Sequence, residues 1–156
     1  MRKAIIAILL LVITISCTTR DQKSAVAGLA NPFTDAPSLS EAEKLAGFSI
    51  TLPSFGEEYG EHHYRVLTAT DDRMLEVIFK SADGDEIRLR KEKGSADISG
   101  DYNHYDTVIT EGEYTLRGNG ELFSGAVWHH DGFSYSLMVA SPVGKETLLS
   151  FTKQIF

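Results

Sequence analysis

The sequence predicts an α+β domain: a curved antiparallel β-sheet meander with a short N-terminal helix and a C-terminal helix packed on one face. Three observations carry this. From Phe48 on, apolar residues recur with a period of two. The repeating runs are separated by tight-turn dipeptides, Asp83-Gly84 and Asp131-Gly132. The chain then closes on a segment with helical spacing, where Leu148, Phe151 and Ile155 fall on one stripe with Leu149 beside it.

The elements follow in order. Ser40-Glu41-Ala42-Glu43 has the spacing of a capping box, a hydroxyl followed three residues later by a carboxylate, and Gly47 is a natural helix stop. Phe48, Ile50 and Leu52 alternate with polar residues and predict a strand ended by Pro53. Strands are expected at 62–70, with Tyr64, Val66 and Thr68 on one side, and at 74–80, with Leu75, Val77 and Phe79 together. Segment 86–92 sets Ile87 and Leu89 on one face and Glu86, Arg88, Arg90 and Glu92 on the other. That charged side reads as a solvated face. A Gly- and Asp-rich excursion over 94–106 comes next. Further strands are expected at 107–110, 114–117, 122–130 and 133–140, and a closing helix over 144–155. Short turns between successive strands imply antiparallel pairing.

The N-terminus says where the protein resides. Arg2 and Lys3 precede an uncharged apolar run from Ala4 to Ile15, and Ser16 stands directly before Cys17, the single cysteine of the chain. Charged start, apolar middle and small residue at the cut make a secretory signal. A spanning helix needs about 20 predominantly apolar residues, more than this run supplies. With a cysteine at the cut, the segment resembles a bacterial lipoprotein signal, although Thr14 stands where that pattern prefers leucine. The resemblance implies removal of residues 1–16 and lipidation of Cys17 by a diacylglyceryl group, with palmitate among the acyl chains. Two acyl chains anchor stably where one binds only marginally. The expected location is the bacterial cell envelope, extracytoplasmic and lipid-anchored to the membrane. Residues 17–37, rich in small and polar residues with Pro32 and Pro37 near the end, read as a flexible tether, and 38–156 as a single globular domain.

With Cys17 committed to lipid, no cysteine remains for a disulfide. A net charge of −7 repels phosphate backbones and argues against nucleic acid as a partner. Hydrophobic content of 42% with 10% aromatics is that of a folded domain rather than a disordered surface tail.

Candidate chemistry is sparse. His62-His63 and His129-His130 are metal-ligand types, but neighbours on a strand point to opposite faces, so each pair offers one ligand per face. A site needs the two pairs to meet across the sheet, so no metal is expected. Asp97-x-Ser99-x-Asp101-x-Asn103 has the first four oxygen positions of a calcium loop. Tyr102 replaces its glycine and Val108 its bidentate glutamate, so a turn built on Asx-type hydrogen bonds is expected instead. No nucleophile motif is present, no cofactor is expected, and the domain reads as not an enzyme. The strand aromatics read mostly as core. Phe123, Trp128 and Tyr135 are the candidates for an exposed partner or ligand surface, because segment 122–130 carries apolar residues on both faces.

Asp97-Ile98-Ser99-Gly100-Asp101-Tyr102-Asn103, with Ala126-Val127-Trp128 and Gly132-Phe133-Ser134-Tyr135-Ser136-Leu137, resembles a bacterial extracytoplasmic domain of unknown function. That domain is of a clostridial type sometimes found in anti-sigma-factor-associated membrane proteins, and the likeness spans about residues 33–156. It implies a sheet-and-helix module like that of the lipoprotein carrier family, and no activity. The expected function is a membrane-anchored, non-catalytic binding or interaction module of unknown ligand, its partners being the membrane through the lipid anchor and an envelope protein or apolar ligand. The alternative is a carrier of a lipid or other apolar ligand in a cavity between sheet and helices.

Overall fold

A computed structural model describes residues 31–69 and 71–155. The signal segment, Cys17 and most of the expected tether lie outside these residues. Among the described residues no helix is long and apolar enough to cross a membrane.

Eight strands form one antiparallel sheet accompanied by two α-helices, a mixed α+β fold dominated by the sheet. The strands are β1 (Phe33–Ala36), β2 (Glu61–Leu67), β3 (Met74–Lys80), β4 (Glu86–Lys93), β5 (Thr107–Glu111), β6 (Tyr114–Asn119), β7 (Leu122–His130) and β8 (Phe133–Gly144). The helices are α1 (Leu39–Ala46) and α2 (Lys145–Thr152). Their order in the sheet, β1-β2-β3-β4-β8-β7-β6-β5, departs from a simple meander. Two four-stranded meanders meet where β4 pairs with β8, and segment 94–106 connects them. The turn at Asp131-Gly132 has φ of 48° and 78°, the two left-handed residues of a type I′ hairpin.

Four local expectations are corrected. The tether does not extend to residue 37, because Phe33–Ala36 pairs with β2 as an edge strand, and the Arg65 guanidinium lies 4.5 Å from the Phe33 ring centre. Helix α1 is capped by Ser38, whose Oγ accepts from Glu41 N, and not by Ser40. The Glu43 carboxylate is occupied elsewhere, accepting from Ile50 N at 2.9 Å. The stop at Gly47 stands, with φ 80° and its N–H donating to Glu43 O.

Residues 48–52 form no strand. Their backbone is met by side chains instead of a ladder: Glu43 accepts from Ile50 N, and Lys91 Nζ donates to Ser49 O. Ile50 and Phe55 are nevertheless buried, so the alternation marks an irregular segment laid on the core.

The closing helix is shorter than expected, and its last turn tightens to i→i+3 bonds from Gln154 N and Ile155 N. Its buried side is Leu148, Leu149 and Thr152, continued by Ile155 beyond the helix, while Phe151 is only half-buried. Thr152 is fully buried because it stands four residues after Leu148, at the centre of the stripe. Its hydroxyl donates to Leu149 O.

Register divides the sheet into two unlike faces. Val66, Val77, Leu89, Leu137, Ala126 and Leu116 lie on one, and form a single buried cluster with Ala42, Ala46, Leu148 and Leu149. Arg65, Glu76, Arg90, Ser136 and Val127 are aligned in one row on the other.

Candidate functional site

The second face of the sheet is built around a buried charge. Glu76 sits in the middle of β3 with its neighbours Leu75 and Val77 in the apolar cluster, and its own side chain is 0% exposed. Register places Arg65 of β2 on one side of it and Arg90 of β4 on the other. Arg65 Nε donates to Glu76 Oε1, and Arg90 Nε to Oε2 at 2.6 Å. Arg88, two residues from Arg90 on the same face, brings a third guanidinium, with Nε 3.8 Å from Oε2. An isolated buried carboxylate would be severely penalised, and the paired arginines offset that penalty.

Arg90 carries this network outward. Its Nη1 donates to Ile98 O at 2.9 Å and Ser99 O at 2.7 Å, so the strand ion pair also holds segment 94–106 on the sheet. Gly100 has φ 63°, and a Cβ there would collide with Arg90 Nη1. Glycine is thus required both by the backbone conformation and by the guanidinium packed against it.

The expected Asx-type turns are present in this segment. Ser99 N donates to Asp97 Oδ1, Asp101 N to Ser99 Oγ, and Asn103 N to Asp101 Oδ1. Those oxygens serve backbone donors, and Arg117 Nη2 pairs with Asp97 Oδ2 at 2.6 Å. Burial pushes the Asp97 carboxyl up, but the Ser99 hydrogen bonds and the Arg117 guanidinium outweigh it and hold it below the ordinary aspartate range. Glu92, on the far side of the segment, is pushed up by burial and by the nearby Asp72 charge. Burial together with the Asp101 hydrogen bond raises the Tyr105 hydroxyl.

Two clefts flank segment 94–106. The first, about 460 Å³, is lined by Met74, Arg90, Glu92, Ile98 and Tyr102. The second, about 320 Å³, is lined by Arg88, Asp101, Tyr105, Ser124 and Met138. Tyr102 stands at the rim of the first with 94% of its surface exposed.

The aromatic residues expected at a surface are elsewhere. Phe123, Trp128 and Tyr135 are all buried, Trp128 to 1% exposure. Trp128 stacks on Tyr135 with centroids 5.2 Å apart and planes 5° apart, and Tyr114 meets it at 5.5 Å. They belong to the apolar cluster and present no open patch. The bulge between Phe123 and Gly125 shifts the alternation of β7, which is why that strand reads as apolar on both sides.

The histidine pairs do not meet. Between β2 and β7 stand β3, β4 and β8, a separation of about 19 Å at a strand spacing of about 4.8 Å. His62 packs against Phe79 at 4.8 Å and its Nε2 lies 3.1 Å from Tyr59 O. His129 Nδ1 lies 3.1 Å from Ser134 Oγ, and His130 Nδ1 3.2 Å from Glu113 Oε2. Among the described residues no group of three or more His, Cys, Asp or Glu side chains is arranged to hold a metal ion.

Glu76 does not stand out by periodicity, and Arg88 and Arg90, expected on a solvated face, are its partners instead. The available signal was a lone carboxylate at the centre of Met-Leu-Glu-Val-Ile-Phe, where every neighbour is apolar. No protein-family model, curated protein or solved structure matches this chain.

Proposed function

We propose that this chain is a bacterial envelope lipoprotein, anchored through a lipidated Cys17 after loss of Met1–Ser16, whose domain is a non-catalytic binding or interaction module. The reading extends to the architecture: a curved sheet with α1 and α2 on its apolar face, and the opposite face offered to a partner. The resemblance to extracytoplasmic modules of the clostridial type belongs to the same proposal.

One observation supports it above the others. The two clefts described above flank segment 94–106 on the polar face, with the exposed ring of Tyr102 at the rim of the first. The apolar side is filled by contact: the Phe55 ring meets Phe79 at 4.8 Å and Phe151 at 4.9 Å, both edge to face. An apolar-ligand carrier needs an enclosed cavity there. A binding module needs a solid core and an accessible face.

Membrane fractionation tests the anchor. Replacing Cys17 with Ser should move the protein from the membrane fraction to the soluble one. Retention of the variant after carbonate washing overturns the lipoprotein reading.

A further inference from the structure

We propose that Arg88 is the anion-binding residue of the second cleft, and that its ligand is a small organic carboxylate bearing a short apolar tail. The inference rests on the reading of this chain as a binding module and names the ligand class of its polar face.

Glu76 is satisfied without Arg88. Its Oε1 accepts from Arg65 Nε and its Oε2 from Arg90 Nε. Arg88 Nε lies 3.8 Å from that same Oε2, beyond hydrogen-bond length, and is buried with no hydrogen-bond partner among the described residues. A third guanidinium on one carboxylate adds repulsion from Arg65 and Arg90 and completes nothing on Glu76. Glu86 does not balance it either. Arg88 Nη2 donates to Glu86 Oε2 at 3.1 Å, but Lys80 Nζ bridges the same carboxylate at 3.2 Å. Among the described residues, the ion pairs of Arg65, Lys80, Arg88 and Arg90 thus go to two carboxylates, Glu76 and Glu86, an excess of cation within this network.

That excess opens into the cleft of about 320 Å³, which Arg88 lines. Its side chain is 37% exposed although its Nε is buried, so the group can be reached from the cleft. Asp101 on the facing wall is already engaged: Oδ1 accepts from Asn103 N and Nδ2, and Oδ2 from the Tyr105 hydroxyl. Those donors are neutral and leave the Asp101 charge in place, which disfavours a phosphate dianion more than a monoanion. A carboxylate matches the arginine fork in two parallel hydrogen bonds. Met138, Val139 and Ala140 supply an apolar wall beside it. The volume is at the small end of ligand pockets, about 300–1,000 Å³, which limits the tail to a few carbons.

Titration followed by two-dimensional amide NMR at constant ionic strength tests this, with acetate, butyrate, phosphate and chloride as probes. Butyrate should shift the amides of Gly100, Asp101, Ser124 and Ala140 saturably, acetate several-fold more weakly, and chloride not at all. Arg88→Gln should abolish the response with little change in unfolding midpoint, since Glu76 keeps both its hydrogen-bonded partners. Should that variant fail to fold, Arg88→Lys keeps the charge without the planar fork, and binding should fall several-fold. The proposal is overturned by absence of a saturable shift, by undiminished binding in the variant that folds, or by phosphate binding tighter than butyrate. Loss of the carboxylate response alone leaves the module reading standing. An apolar guest retained by the native protein removes the module reading whatever Arg88 does.

Discussion

Arg90 joins Glu76 at 2.6 Å through Nε and reaches, through Nη1, the carbonyls of Ile98 and Ser99. One guanidinium thereby ties a buried strand charge to the connection between the two halves of the sheet. Glu76→Gln leaves three arginines facing a neutral amide in a buried site. Breaking a buried pair in this way costs about 3–5 kcal/mol. Denaturant unfolding should show that loss, and hydrogen exchange should show residues 98–101 losing protection ahead of β3.

Gly100 is the steric counterpart of that contact. Gly100→Ala places a Cβ against Arg90 Nη1 at a φ of 63°. Left-handed strain on a non-glycine residue costs about 1–3 kcal/mol, before any displacement of the guanidinium. Thermal unfolding should register a loss in that range. A neutral result would mean that the segment is not held against Arg90.

In α2, burial reverses the ranking that the polarity of the side chains suggests. Thr152 is fully buried and Phe151 half-buried. Thr152→Ala should therefore destabilise measurably, by about 1 kcal/mol. Leu148→Ala, at a fully buried position, should cost about 2–5 kcal/mol. Phe151→Ala should cost less than that. A Phe151 variant that folds normally and takes up an apolar probe would instead identify α2 as a lid.

Two carboxylates, Asp97 within segment 94–106 and Glu92 just before it, should respond to acid in opposite senses. The Asp97 pKa is lowered in the fold, so its contribution is present above the ordinary aspartate range and is lost as pH falls through the depressed value. The Glu92 pKa is raised by burial and Asp72, so Glu92 costs stability while ionised, and that cost disappears on protonation. Asp97→Asn should remove the low-pH loss. Glu92→Gln should stabilise the protein at neutral pH. Unfolding midpoints followed across the acid range check both.

These results also show what the chain discloses in advance. The strands at 74–80, 86–93 and 122–130 are readable because period-two alternation and the Asp-Gly turns agree. Strand β1 is not, because four residues at a sheet edge following Asn31-Pro32 are too short to show a period. The irregular run 48–52 imitates a strand because only its side chains, not its backbone, obey the alternation. The β4–β8 junction is invisible locally, since antiparallel pairing with the nearest strand is the default and the 94–106 connection overrides it. Glu76 and its arginines were each visible, but that they converge depends on the β2-β3-β4 register. Trp128 and Tyr135 are cross-strand partners on the covered face, a relation that strand order establishes and the periodicity of one strand does not.

The central claim, a lipid-anchored binding module with a solid apolar core, is tested most directly by native mass spectrometry of the protein extracted from membranes. The account predicts a chain that begins at Cys17, carries a diacylglyceryl addition, and holds no apolar molecule between sheet and helices. An unmodified chain beginning at Met1, or a co-purified apolar molecule that survives gentle desolvation, would contradict it.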